Sequence, residues 1–218
     1  MTNPTSGAEG LLSNIRVIES SLLGPGHVAT FFADLGADVI KVESPAGDYI
    51  RQMTWPIIEG TSLLHLHTHR GKKSVTLNLR KDEGRALARR LIGEADVLIE
   101  NFRPGTLEKW GLDPAALQEE HPDLIVVRIS GYGQTGPYAA QPGYASVCEG
   151  FGGLRYVNGF PGGRPVRPNL SLGDTLSGMH AAFGVLLSVI DRDRRRAGGQ
   201  MVDVGIFEAV YNLSLIHI

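Results

Sequence analysis

Short apolar runs alternate with helical patterns along most of the chain, and glycine or proline separates them. Residues 15–21 (IRVIESS) predict a strand, broken at Gly24, Pro25 and Gly26. Pro25 suits the first turn of a helix, where a backbone N–H has no intrahelical partner. Residues 28–35 then repeat apolar positions at helical spacing, with Gly36 as the C-cap, and 37–43 predict a second strand. The cycle recurs with a strand at 73–79, a helix at 82–94, a strand at 95–102, and short helices at 104–110 and 114–121. Residues 123–130 (DLIVVRIS) are continuously apolar at their centre, as expected of a strand covered by helices on both faces. Alternation of this kind predicts an α/β domain with right-handed βαβ crossovers and an open parallel sheet.

Residues 131–168 are rich in Gly, Pro and Tyr and predict a long irregular segment, the kind that in compact domains carries function or moves. A long helix follows, with Leu176, Met179, Phe183, Leu186 and Ile190 forming an apolar stripe. It closes on Arg192, Arg194, Arg195 and Arg196, favourable charges at a helix C-terminus. A short strand at 201–204 and a helix opening at 206–212 complete the pattern. The expected organisation is a polar N-terminal tail at 1–14, one domain at 15–213, and a truncated or foreign end at 214–218.

Composition narrows the class. The 218 residues carry 21 Lys and Arg against 23 Asp and Glu, a formal net charge of −2, which leaves no basic footprint for nucleic acid. Residues 1–10 lack a signal pattern, and the apolar run at 181–190 is far short of the ~20 residues of a membrane span. With 42% hydrophobic residues the chain can bury a sizeable core, and its single cysteine, Cys148, excludes a disulfide framework. A soluble cytoplasmic protein without nucleic-acid or membrane partners is expected.

Several segments carry candidate chemistry. Gly131, Gly133 and Gly136 form a G-x-G-x-x-G after a strand, with Glu149 near the offset of a ribose contact, but Pro137 and Pro142 leave no clean helix at the third glycine. A glycine-rich substrate loop competes with a dinucleotide site there. His65, His67 and His69 at a spacing of two would share one face of a strand and suit a metal; no local carboxylate or thiol completes such a shell, and a partly solvated loop is the alternative. The chain has no Gly-x-Ser-x-Gly elbow and no phosphate-binding G-x-x-x-x-G-K-[ST]. Asp174 stands at the start of the long helix, where it reads as an N-cap or as an ionised carboxylate nucleophile favoured by the helix dipole. Asn101, Phe102 and Arg103 lie where a strand gives way to a helix; they read either as an anion site, with Phe102 against a flat ring, or as a solvated loop.

Six motifs occur in order: 36–43 (GADVIKVE) with Gly47, Asp48 and Arg51; 70–79 (RGKKSVTLNL); 95–105 (ADVLIENFRPG); 130–137 (SGYGQTGP); 172–174 (LGD); and 199–204 (GQMVDV) before Phe207, Glu208 and Ala209. Together they resemble the class III CoA-transferases of the CaiB/BaiF type, a family that also holds formyl-CoA transferases and α-methylacyl-CoA racemases. The resemblance covers residues 15–213. It implies a Rossmann-like large domain, a smaller second domain mostly missing here, and two chains interlocked as rings. It implies coenzyme A or acyl-CoA as substrate rather than a resident cofactor, a small carboxylic acid as co-substrate, and no metal. By motif position Asp174 is the implied catalytic aspartate. Leu77, Asn78, Arg80, Asn101, Phe102, Arg103 and Lys109 are the implied CoA-binding residues. The glycine turn at 130–136 and the helix start at Thr175 are candidate oxyanion donors, and Arg164 and Arg167 candidate partners of a substrate carboxylate. Racemase relatives resemble Gly-His-Asp where this chain has Gly143, Tyr144 and Ala145, and tyrosine is a poor base at neutral pH. A non-catalytic CoA-binding protein is the further alternative. The resemblance also implies that the 218-residue chain alone is inactive.

Overall fold

A computed structural model describes residues 10–23 and 26–213. The expectations for Pro25, residues 1–9 and residues 214–218 lie outside these residues. Leu12, within the segment expected as a polar tail, is buried in the core.

The chain begins with strand β1 (Arg16–Ser20), helix α1 (Gly26–Asp34) and strand β2 (Asp38–Glu43). A 3-10 turn (Tyr49–Gln52), a small hairpin of β3 (Ile57–Ile58) and β4 (Thr61–Ser62), and helix α2 (Leu63–Thr68) follow. Next come β5 (Lys73–Thr76), α3 (Asp82–Ile92), β6 (Val97–Glu100), α4 (Thr106–Lys109), α5 (Pro114–Glu120) and β7 (Ile125–Ser130). The last third holds α6 (Ala145–Phe151), α7 (Leu154–Val157), α8 (Leu172–Arg195), β8 (Met201–Gly205) and α9 (Ile206–Tyr211).

Six strands form one parallel sheet in the order β5-β2-β1-β6-β7-β8. Alternate residues of each strand face opposite layers, as a period of two requires. Val17, Val97, Ile99 and Val127 pack against Val28 and Phe32 of α1 and Ala181 and Val185 of α8. Ile18, Leu98 and Val126 turn the other way, onto Ala88 and Ile92 of α3 and Leu107 and Leu117. Each fully buried aliphatic side chain contributes about 2 kcal/mol by its removal from water. The expected α/β class and open parallel sheet are therefore present. Successive strands run outward from β1 through β2 to β5, and the chain then returns to lay β6 on the other side of β1. In open sheets such a reversal opens a crevice at the carboxyl ends of the strands.

Three elements differ from the sequence pattern. Residues 145–157 form α6 and α7 rather than irregular chain. The histidine segment is neither strand nor loop but helix α2, with Ser62 as N-cap accepting from the His65 N–H. In α8 the apolar stripe does not mark the buried face. Met179 and Phe183 are 53% and 64% exposed and Ile190 is exposed as well, whereas Gly173, Ser177, Gly178, Ala181, Ala182, Val185 and Ser188 are buried. Small residues let this helix lie close against α1, β7 and β8. Among the described residues α8 is the one helix long and apolar enough to cross a membrane, a length the 181–190 run alone did not suggest; its small-residue face lies in the domain core. Its last turn carries Arg192, Arg194 and Arg195, and Arg192 donates to Asp96 at 2.9 Å.

Candidate active site

Loops leaving the carboxyl ends of β1, β2, β5, β6 and β7 meet over the crevice and enclose two adjoining clefts. The larger, about 620 Å³, is lined by Lys41, Leu77, Asn78, Arg80, Phe102 and Trp110 among others. The smaller, about 220 Å³, holds Asn101, Phe102, Arg103, Tyr144 and Asp174. Leu22, Tyr49 and Phe102 belong to both, so the clefts form one path. Of the residues singled out from sequence, Leu77, Asn78, Arg80 and Phe102 meet in the larger cleft. Asn101, Phe102, Arg103 and Asp174 meet in the smaller. Lys109 is exposed on α4 and lines neither.

The walls are held by short-range bonds. The Asn101 side chain accepts from the Leu22 N–H at 2.9 Å and donates to the Leu22 carbonyl at 2.8 Å, tying the loop after β1 to the loop after β6. The Phe102 N–H donates to Glu100 Oε2 at 2.7 Å, and its ring meets Trp110 edge-on at 5.1 Å. Behind them Arg128 donates to Glu100 at 2.7 Å and to Glu108 at 2.8 Å. Burial pushes the Glu100 carboxyl up despite the guanidinium. The Asn78 turn is fixed by its neighbours: its side chain accepts from the Arg80 N–H, its carbonyl accepts from the Lys81 N–H, and α3 lies directly on it at Gly84. A Cβ at Gly84 would collide with the Asn78 carbonyl oxygen, so only glycine permits this approach.

Charged residues that interrupt the apolar strands lie under the larger cleft. Buried Glu19 pairs with Lys41 at 3.0 Å and Lys72 at 2.7 Å, and Lys41 also reaches Asp48 at 3.2 Å. Burial would raise the Glu19 carboxyl, but the two ammonium groups outweigh it and hold it low. At the end of β2, Glu43 accepts from Arg51, Ser74 and the Asp48 N–H; these bonds overcome its desolvation and hold it at about 2. The result is a fixed turn that presents Tyr49 to both clefts. His65 and His69 stack at 4.2 Å one helical turn apart, whereas His67 faces His27. Helical geometry separates the three histidines, and no metal-binding cluster occurs among the described residues. Burial and the nearby His69 push His65 down to about 4.

Asp174 is not the N-cap of α8. Ser171 holds that position without a side-chain capping bond, the helix begins at Leu172, and Asp174 lies within its first turn. Its carboxyl is pushed up to about 6, first by burial and then by the charge of Glu149, against the opposing pull of Arg167. Desolvation thus outweighs the helix dipole expected to favour the charged form, yet above about pH 6 the group remains mostly a carboxylate. Glu149 is not a ribose contact. It is fully buried on α6 and accepts from the Gly173 N–H at 3.1 Å. Cys148 beside it donates to the Gly131 carbonyl, and burial holds its thiol up at about 11, far from the reactive thiolate form.

The glycine turn after β7 opens no helix. Its N–H at Gln134 is taken by Asp203 of β8 at 2.9 Å. Gly131 and Gly143 touch so closely that a Cβ on Gly131 would lie 2.6 Å from the Gly143 Cα, which brings Tyr144 back to the cleft. The Thr175 N–H already donates to the Ser171 carbonyl at 3.0 Å and is unavailable to an oxyanion. Arg164 is exposed and lines neither cleft; Arg167 stands 3.7 Å from Glu149. Sequence reasoning missed Tyr49 and Trp110, which carry no motif of their own. It gave no role to Glu19 and Lys41, although charges at the centre of apolar strands are themselves a signal.

The chain is similar to known proteins in sequence and in fold. The chain is 44% identical over 220 residues to the succinyl-CoA–L-malate CoA-transferase alpha subunit of Chloroflexus aurantiacus, covering 98% of this chain and 51% of that protein. It is 39% identical over 206 residues to the succinate–glutarate CoA-transferase of Agrobacterium fabrum, covering 90% and 51%. Thus the chain spans about half the length of the curated relatives it matches. A solved CAIB/BAIF family protein from Brucella suis superposes with a TM-score of 0.90 at 37% identity, over 94% of this chain and 55% of that one. The description of CoA-transferase family III matches residues 12–217, essentially all that builds the sheet and both clefts, and the chain belongs to that family.

Proposed function

We propose that the protein moves CoA from an acyl-CoA donor to a small carboxylic acid, with Asp174 as the covalent acceptor. The observation that carries this is the half-buried Asp174 carboxylate at one end of a path whose other end is a larger, partly aromatic cleft. An extended ligand with a flat ring, phosphates and a reactive thioester fits such a path. Phe102 and Trp110 offer the ring a surface, Arg80 and Arg103 offer the phosphates charge, and the thioester reaches Asp174.

The carboxylate attacks the thioester carbonyl; a C–O bond forms, the C–S bond breaks, and its electron pair leaves on the CoA thiolate. The thiolate then attacks the aspartyl carbonyl of this anhydride, releasing the donor acid and leaving an aspartyl-CoA thioester. The acceptor carboxylate attacks that thioester to give a second anhydride and thiolate, and the thiolate takes the new acyl group, restoring Asp174. Covalent relay divides one poor acyl exchange into easier steps. No net proton is consumed, so an acceptor group ionised above about pH 6 is suited to it. The two relatives above are named for succinyl-CoA with malate and for succinate with glutarate, which supports dicarboxylic acids as the substrate class. Interlocked pairs of chains and a cytoplasmic setting are part of the same proposal.

Racemisation would need a base at the acyl α-carbon. Among the described residues no histidine lines the smaller cleft, and Tyr144 stands where the racemase relatives are expected to carry one. The test is made on the whole protein with succinyl-CoA and a panel of acids. Transfer of CoA supports the proposal; α-proton exchange without transfer contradicts it, as does CoA binding with neither reaction.

A further inference from the structure

We propose that Glu149 is a positioning residue for Asp174: its buried carboxylate anchors the first turn of α8 and sets the electrostatic surroundings in which Asp174 reacts. The inference rests on the covalent role proposed for Asp174.

Glu149 is 0% exposed, on α6, and reaches across to a different helix. Its Oε1 accepts from the Gly173 N–H at 3.1 Å, one residue before Asp174. That bond replaces the cap that Ser171 does not make, and it fixes the backbone from which the Asp174 side chain leaves. Oε2 has no hydrogen-bond partner although it is buried. The guanidinium groups of Arg155 on α7 and Arg167 before α8 each stand 3.7 Å from it, within ion-pair range but beyond a hydrogen bond.

A helix cap alone needs only an acceptor, which a neutral amide of the same size provides. Retaining a full charge in the interior is unfavourable unless the charge is paired and hydrogen-bonded. Here two guanidinium groups stand in ion-pair range without hydrogen-bonding the charge, and the charge also acts on Asp174. Burial is the first cause that opposes ionisation there, the Glu149 charge adds to it and Arg167 works against it, and the sum leaves a carboxylate more basic, hence more nucleophilic, than an ordinary aspartate. Cys148 on the same helix stays neutral, Arg155 faces Glu149 from α7, and Tyr49, Tyr144 and Arg103 line the cleft that Asp174 faces.

The test is a carbon-13 NMR titration of the Asp174 carboxyl, assigned with Asp174→Asn, in the wild-type protein and in Glu149→Gln. The Glu149→Gln substitution keeps an acceptor for the Gly173 N–H and removes the charge, so the Asp174 midpoint is expected to fall by about half a unit or more from its value near 6. The acid limb of kcat moves down in pH with it. A purely structural role would lower stability and leave the midpoint in place, and an unmoved midpoint in the folded variant overturns the inference. Should Glu149→Gln fail to fold, Glu149→Asp keeps the charge but withdraws it from the Gly173 N–H and from Asp174: the midpoint falls, and an unmoved one overturns the inference equally. Failure of the covalent reading is separate, since it shows as CoA transfer that survives Asp174→Ala whatever the titration gives.

Discussion

At the scale of single residues, Asp174 is where burial and chemistry oppose each other. Its carboxyl protonates at about 6 in the fold against an ordinary value of 3.8, so the fold disfavours the ionised form. The associated stability is fully present below about pH 3.8 and is lost as the pH rises through about 6. A shift of about two units corresponds to about 3 kcal/mol, which partial solvent contact reduces to about 1–2 kcal/mol. Asp174→Asn is therefore expected to unfold about 3–6 °C higher than wild type at pH 7.5 and at the same temperature at pH 3.5, read by calorimetry at both pH values. An equal melting temperature at pH 7.5 contradicts the burial assigned to this side chain. Glu43 behaves in the opposite sense. Held at about 2 by Arg51, Ser74 and the Asp48 N–H, it stabilises the turn that carries Tyr49 at pH above 4.5 and loses that contribution as the pH falls through 2. Glu43→Gln is expected to cost about 1–3 kcal/mol in urea denaturation at pH 7, a difference that narrows from pH 4.5 downward.

Elements differ in how clearly the sequence announces them. The sheet strands are legible because each alternates or runs apolar against two layers, and strands and crossover helices appear within a few residues of their predicted ends. Helix α8 is legible as a helix but not in orientation: its buried face is made of Gly, Ala and Ser, which give no apolar signal, while the visible stripe of Met179, Phe183 and Ile190 faces out. Histidines spaced by two suggested one face of a strand, yet Ser62 caps a helix there and turns His67 away from its neighbours. Asp174 looked like a cap because aspartate favours that position; the cap comes instead from Glu149, 24 residues upstream of Gly173, a distance at which no local pattern speaks. The contact between α3 and the Asn78 turn makes its own prediction. Gly84→Ala places a methyl group against the Asn78 carbonyl and is expected to cost about 1–3 kcal/mol and to weaken CoA binding, with calorimetric unfolding and binding as the measurements. Unchanged stability and affinity would show that the turn yields without consequence.

On the scale of the whole molecule, strand order places the site. Because β6 lies beside β1 on the side away from β2, loops from β1, β2, β5, β6 and β7 converge on one edge of the sheet, and residues from positions 20 to 206 line two connected clefts. Leu77, Asn78, Arg80, Asn101, Phe102, Arg103 and Asp174 were legible as a set only through motifs in register; spacing alone left each with an ordinary structural explanation. Lys109 shared a motif neighbourhood without facing the clefts, since α4 turns it to solvent. If a flat ring packs on Phe102, Phe102→Ala weakens CoA binding about tenfold, as loss of a base–aromatic stack does, measured by titration calorimetry. The proposed reaction depends most on Asp174 carrying the acyl group. Mass spectrometry of the protein quenched during turnover of succinyl-CoA is predicted to find the acyl or CoA mass on the peptide bearing Asp174, and Asp174→Ala is predicted to show neither that adduct nor CoA transfer. Transfer at the normal rate by Asp174→Ala would contradict it.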